Sequence, residues 1–216
     1  MDELAKEYVI SFFGRNLLLH GDRPEAVRWT APGQLLHYQC LLDIGPLEGK
    51  KILDYGCGKG DFLRFLKDRG ISVRYSGYDI NEELISLAKQ KYPDADFRVF
   101  DLDRDELHED FDYIFLCGVF NLKVPGLDGT IRETLVRLYG RCREGLAYNG
   151  LSVHNPKKDF ELHYVSPEEM FRFAVRDLSP HVSLRHDRIP YDFTMFVYRD
   201  AMRPKAYEGG LPAPSA

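Results

Sequence analysis

The stretch Lys51-Ile52-Leu53-Asp54-Tyr55-Gly56-Cys57-Gly58-Lys59-Gly60-Asp61 restricts the possible folds more than any other part of the chain. A short apolar run ends in alternating glycines. It then passes into Phe62, Leu63, Phe65 and Leu66, which share one helical face before Gly70. That is the pattern of a buried parallel strand, a tight turn and a packed helix with a glycine stop. Alternate glycines let the backbone turn sharply and approach a ligand closely. The unpaired N–H groups that open the helix favour an anionic group at the turn. A dinucleotide fingerprint has the spacing G-x-G-x-x-G. Here the third glycine comes one position early, at Gly60, and Asp61 takes the next place. The shorter turn suits an amino-acid carboxylate better than a pyrophosphate.

The strand–helix alternation continues downstream. Residues 73–78 read as a second strand ended by Asp79, and Asn81 caps a helix with Glu82 and Glu83 in its first turn. Residues 97–100, 111–117 and 146–153 read as three further strands, with a helix over 131–139. Ser166-Pro167-Glu168-Glu169 has the cap, the proline at the first helical position and the glutamate three after the cap that open a helix. Residues 182–185 and 193–198 are close enough in sequence to pair as an antiparallel hairpin. The expected fold is α/β, a doubly wound, seven-stranded, mostly parallel sheet with an antiparallel last strand and helices on both faces. Such sheets bind ligands outside the carboxyl ends of their strands.

Residues 1–47 read as a helical cap. Leu4, Tyr8, Phe12 and Phe13 fall on one face, with Gly14 or Gly21 as the break. A second helix covers 34–42, and the only tryptophan, Trp29, lies between the two. The chain thus divides into a cap or lid (1–47), a sheet domain (48–202) and a loose tail rich in Pro, Gly and Ala (203–216).

Charge and cysteine usage exclude several functions. A net charge of −5 lacks the basic excess of a protein that grips nucleic acid through its phosphates, so nucleic acid is not the expected partner. No run of 18 apolar residues forms a membrane span, and the N-terminus lacks a secretory plan; the expected location is the cytoplasm. The four cysteines are far apart with no CxxC pair, which reads as reduced thiols and not as a disulfide frame or zinc site. No metal is expected.

Two acids follow the glycine turn in order. Asp79 ends the second strand, where two carboxylate oxygens can accept from both hydroxyls of a ribose. Asp101 ends the third, where it can accept from an adenine amino group while the backbone of Leu102 meets a ring nitrogen. Each acid alone could be a turn residue; three successive strand ends of this kind point to one nucleoside.

With these residues the chain resembles the class I S-adenosylmethionine-dependent methyltransferases over about residues 50–200. ILDYGCGKGDFLRFL is similar to the family's first motif, GYDIN to its second and VFDLD to its third. It further resembles a bacterial subgroup of unassigned substrate. The shared features are Trp29, Gln34, Gly118–Asn121, Tyr164, Pro167, His186, Asp187 and the stretch Tyr191 to Thr194. The resemblance implies an enzyme using S-adenosyl-L-methionine. Asp54, Gly56, Cys57, Gly58, Gly60, Asp79, Ile80, Asp101, Leu102 and Gly118 would hold the cofactor, with Trp29 and Gln34 in the lid. Methyl transfer from a sulfonium loses positive charge in the transition state, so alignment and water exclusion matter most. Where the acceptor must lose a proton, a base helps. Asn121, His154, His186 and Tyr191 are the catalytic candidates, with Tyr164 beside them. The expected acceptor is a small molecule, either a metabolite or a sugar-like or lipid-linked compound. Two rivals remain at this point, a nicotinamide-dependent oxidoreductase on a similar sheet and a cofactor-binding sensor or partner without turnover. The oligomeric state is open.

Overall fold

The computed structural model describes residues 1–201. The expected tail, 203–216, lies outside the described residues. Two helices precede the sheet. α1 (Glu3–His20) starts at Asp2, whose carboxylate accepts from the Ala5 N–H, and ends at Gly21 in a left-handed conformation (φ 59°). α2 (Ala31–Leu41) is capped by Thr30 with Pro32 in its first turn. Gly14 does not break α1, contrary to one of the two expected break points, because one glycine inside a helix costs only about 1 kcal/mol.

The sheet then builds in alternation. β1 (Lys51–Tyr55), α3 (Asp61–Asp68), β2 (Arg74–Asp79), α4 (Glu82–Lys91), β3 (Asp96–Val99), β4 (Phe111–Leu116), α5 (Leu127–Tyr139) and β5 (Cys142–Ser152) follow one another. A two-residue strand, β6 (Tyr164–Val165), pairs with the end of β5 and is an addition to the expected set. α6 (Pro167–Asp177), β7 (Val182–Ile189) and β8 (Asp192–Tyr198) close the chain. Asn81 accepts from the N–H groups of Glu83 and Leu84, and Ser166 from that of Glu169, as their sequence positions suggest.

The strand order is β3-β2-β1-β4-β5-β8-β7. β3, β2, β1, β4 and β5 are mutually parallel, and β8 runs antiparallel to both β5 and β7. The last strand is therefore wedged in reverse between β5 and β7, and β7 forms the edge. The hairpin is tighter than expected, with Pro190 and Tyr191 alone between the strands. Strand order reverses between β1 and β4, and that switch point is where such sheets leave a crevice.

Both faces are covered, which is why β1 and β4 read as near-continuous apolar runs. Leu53, Ile114 and Leu146 pack with α5, α6 and the start of α1. Ile52, Phe115, Ala147 and Phe196 pack with α2, α3 and α4. Phe62, Leu63, Phe65 and Leu66 are all buried; each such side chain is worth about 1.5–3 kcal/mol. The expected face of α1 is only partly its inner one, since Phe12 and Phe13 are half-buried and Phe13 reaches the crevice at the switch point. Leu4 and Tyr8 are exposed, and the helix instead buries Ala5, Lys6 and Gly14.

Candidate functional site

A cavity opens at the switch point, beyond the carboxyl ends of β1, β2 and β4. The turn after β1 lines it with Gly56, Cys57 and Gly58, the end of β2 with Asp79 and Ile80, and the loop after β3 with Asp101 and Leu102. Gly118 and Val119 line it after β4, and Val9 and Phe13 of α1 together with Trp29 close it from above. Segments following four strands, far apart in sequence, thus face one space.

Two glycines are there because nothing larger fits. A Cβ on Gly56 (φ 76°) would lie 2.3 Å from Val119 Cγ2. One on Gly118 (φ 72°) would lie 2.6 Å from the Trp29 ring. Side chains at these positions would fill the cavity wall and force a left-handed backbone that costs other residues energy.

Asp79 organises the floor. Its Oδ2 accepts from the Gly58 N–H and its Oδ1 from the Asn81 N–H, each at 2.9 Å. Burial pushes the carboxyl upward, while these N–H groups and that of Ile80 pull it back. A carboxylate offers about four lone-pair sites, so capacity for ligand hydroxyls remains. Asp101 is engaged differently. Its Oδ2 accepts from Lys6 Nζ at 2.8 Å, and its Oδ1 from the Asp103 N–H at 3.0 Å. Lys6 Nζ also lies 2.8 Å from Asp103 Oδ2. Burial alone would depress the Lys6 ammonium, but the two carboxylates outweigh it and hold its pKa above the ordinary lysine value. α1 is thereby bolted to the end of β3.

Three of the residues expected at the cofactor do not line the cavity. Asp54 shares its side of β1 with Ile52 and turns into the core, where it accepts from the Tyr75 hydroxyl at 2.6 Å. Burial pushes its carboxyl up to about 7, the Tyr75 bond opposes this, and Asp79 and Asp61 add to it. Gly60 faces the Phe97 and Tyr92 rings. Gln34 donates to Asp61 Oδ2 at 3.0 Å, so it reaches the site only through Asp61. Asp61 also pairs with the buried ammonium of Lys59, which lies 3.3 Å from Asp22, and this group braces the glycine turn against the segment after α1.

Of the catalytic candidates, Asn121 stands beside the cavity wall, its Nδ2 3.5 Å from where a Cβ on Gly118 would lie, and the others lie elsewhere. Asn121 closes a turn, donating its N–H to the Gly118 carbonyl and accepting from the His163 N–H. His154 and His186, with rings 6.0 Å apart, share a separate groove between α6 and β7 with Phe171, Val175 and Leu184. His154 pairs there with Glu168 at 2.6 Å. The strand expected over 182–185 runs on to Ile189, so His186 lies within β7, where strand alternation puts it on the α6 side with Leu184. Tyr191 sits exposed at the hairpin turn with φ 64°. The Tyr164 hydroxyl accepts from the Asp159 N–H. Among the described residues that line the cavity there is no histidine. The Cys57 and Cys117 thiols do line it, and burial pushes both well above the ordinary thiol range, so neither is a ready thiolate.

Sequence reasoning missed several residues that shape this site. Lys6 reads as a solvated helix lysine; the unbalanced acids of DLDRD were the only signal that a cation was needed. His37 packs against Trp29, and Asn149 Oδ1 accepts from the Gly118 N–H at 2.7 Å.

The sequence profile of a family described as a methyltransferase domain matches residues 52–138. The Mycobacterium tuberculosis protein Rv1506c, described as an inferred methyltransferase, is 31% identical over 155 residues, covering 68% of this chain and 91% of that protein. The chain belongs to the class I S-adenosylmethionine-dependent methyltransferases. Solved methyltransferases share its fold at low identity. The DhpI–S-adenosylhomocysteine complex superposes with a TM-score of 0.70 at 16% identity, over 94% of this chain and all of that one (100%). Magnesium protoporphyrin IX methyltransferase from Synechocystis PCC 6803, with bound S-adenosylmethionine, gives 0.64 at 17% identity, over 93% of this chain and 98% of that one. The methyltransferase uses S-adenosylmethionine, and the glycine-lined, acid-bearing cavity fits a cationic sulfonium nucleoside. Among the described residues no helix is long and apolar enough to cross a membrane.

Proposed function

We propose that this methyltransferase acts on a small-molecule acceptor, with residues 1–47 as the lid over its site. The observation that carries the reading is that Gly56 to Gly58, Asp79 and Asp101 line one cavity closed from above by α1 and Trp29. In this reading the glycine turn and the start of α3 take the amino-acid tail, Asp79 takes the ribose hydroxyls, and Asp101 with Leu102 takes the adenine edge. Ile80 and Gly118 flank the nucleoside. Bound S-adenosylmethionine supplies an electrophilic methyl on a cationic sulfur.

The chain's own contribution is alignment and dryness. Val9, Phe13 and Trp29 exclude water above the cavity, and the Asp79 carboxylate favours a cationic ligand over its neutral product, Asp101 and Asp103 being matched by Lys6. Beyond Val119 the same cavity continues to Leu122, Val124 and Leu127, an apolar lobe that suits an acceptor with an apolar part. A second reading, a cofactor-binding protein without turnover, draws on the placement of His154, His186 and Tyr191 away from the cavity.

Calorimetric titration with S-adenosylmethionine and S-adenosylhomocysteine tests the cofactor site, and absence of binding at millimolar ligand removes it. Incubation with methyl-labelled S-adenosylmethionine and a fractionated cell extract tests the acceptor. Label in the low-mass fraction supports a small molecule, label in macromolecules overturns that choice, and no label favours the second reading.

A further inference from the structure

Trp29 is held from three sides. Its ring stands over Gly118 on one side. On another it packs against the His37 imidazole, with ring centroids 4.3 Å apart. Behind it, Arg28 adopts a left-handed conformation (φ 61°) uncommon for a residue with a side chain, secured by Glu161 at 2.7 Å and Asp159 at 3.4 Å. The His37 ring is buried and fully engaged. Nδ1 donates to the Gly33 carbonyl at 2.7 Å, and Nε2 is hydrogen-bonded to Asp192 Oδ2 at 2.7 Å. Gly33 lies on α2 and Asp192 opens β8, so the imidazole ties α2 to the last hairpin behind Trp29, which lines the cavity. Neither nitrogen is free to take a proton from an acceptor, which excludes His37 as a base in this arrangement.

We propose that His37 and Asp192 are positioning residues for methyl transfer, joined so as to fix the Trp29 indole as a wall of the cavity. The inference rests on the reading of that cavity as the S-adenosylmethionine site. A loosely held wall admits water and lets the cofactor shift, and a fixed one costs no reorganisation at the moment of reaction.

Trp29 is the chain's only tryptophan, so its emission reports this wall directly. The test compares wild type with Asp192→Leu, Asp192→Asn and His37→Phe by acrylamide quenching of Trp29 and by calorimetric titration with S-adenosylhomocysteine. Asp192→Leu is expected to open Trp29 to acrylamide and weaken binding about tenfold, the loss of one charged hydrogen bond. Asp192→Asn keeps an acceptor for the imidazole and is expected to restore most of both. A folded Asp192→Leu variant with wild-type quenching and affinity would overturn the inference. Should that variant not fold, His37→Phe, which keeps a ring against Trp29 and removes both hydrogen bonds, decides by the same two readouts. Failure of the wild type to bind S-adenosylhomocysteine would remove the cofactor reading and with it the role in methyl transfer, whereas the quenching comparison decides separately whether the pair holds Trp29.

Discussion

The Gly58 N–H donates to Asp79 Oδ2 at 2.9 Å, so the glycine turn after β1 and the acid that ends β2 form one rigid unit. Replacing Asp79 therefore acts twice, removing an acceptor for the ribose and releasing the turn that meets the amino-acid tail. Asp79→Ala is expected to cost roughly 1.5–3 kcal/mol of S-adenosylhomocysteine affinity, the range for a lost charged acceptor. Asp79→Asn keeps one acceptor oxygen and should lose less. Calorimetry on both variants checks this, and an unchanged dissociation constant for Asp79→Ala would reduce the residue to a turn former.

Gly56 faces a steric limit as well as a conformational one. Its φ of 76° costs an alanine about 1–2 kcal/mol, and the new methyl would sit 2.3 Å from Val119 Cγ2. Overpacking of that kind adds about 1–3 kcal/mol. Gly56→Ala should lower the melting temperature and abolish measurable S-adenosylhomocysteine binding. Combining it with Val119→Ala removes the Cγ2 contact but leaves the Cβ of residue 119 at 2.7 Å and the backbone strain in place, so the double variant should recover only part of the stability. A single variant as stable as wild type would show that the turn is not confined.

Local signals made most of the fold legible. The KILDY run, the glycines after it and the caps at Asn81 and Ser166 act within a few residues, and each element formed within a few positions of where these placed it. Asp79 was legible for the same reason, since a residue ending a parallel strand is directed toward the crevice, whereas β3 stops at Val99 and Asp101 reaches the cavity from the loop after it, not from the strand end expected. What failed depends on partners distant in sequence. Helical spacing marks an apolar stripe on α1 but cannot say which stripe meets the sheet. The inner face was set by Lys6 reaching Asp101, 95 residues away. His154 and His186 come after or within strands whose place in the sheet decides their surroundings, and the edge position of β7 sends them to the α6 groove. Asp54 was readable after all: strand alternation puts it on the same side as Ile52, away from Leu53 and Tyr55.

Asp54 also sets a pH dependence. Its carboxyl is raised from 3.8 to about 7 in the folded chain, chiefly by burial. The folded state therefore holds a proton that the unfolded state has released between about pH 4 and 7, and stability falls with rising pH across that window. The contribution is fully present below pH 3.8 and is gone above about 7. Asp54→Asn keeps an oxygen to accept from Tyr75 and carries no charge. Its stability relative to wild type should rise by a few kcal/mol from pH 4 to pH 8. Urea unfolding of both proteins at several pH values measures the gap; a constant gap would mean that Asp54 titrates normally in the folded chain.

Lys6→Met separates two opposing effects. It frees Asp101, which could then accept more fully from an adenine amino group, and it removes the bolt that holds α1 over the cavity. Asp101 retains unused lone pairs while paired with Lys6, so freeing it adds little. Losing the bolt leaves Asp103 to the N-terminal ammonium and Asp101 to the more distant Arg104, removes the one buried tie and loosens the start of α1, and this effect should win. The expected result is weaker S-adenosylhomocysteine binding, by about tenfold, together with faster amide hydrogen exchange in α1 than in α5 or α6. The Lys6 ammonium is buried, so added salt should mimic the substitution poorly. Tighter binding in Lys6→Met would reverse the assignment and make Lys6 a competitor for the adenine site; unchanged exchange in α1 would show that the helix is held without Lys6, by its packing and its ties through Arg104 and Asn81.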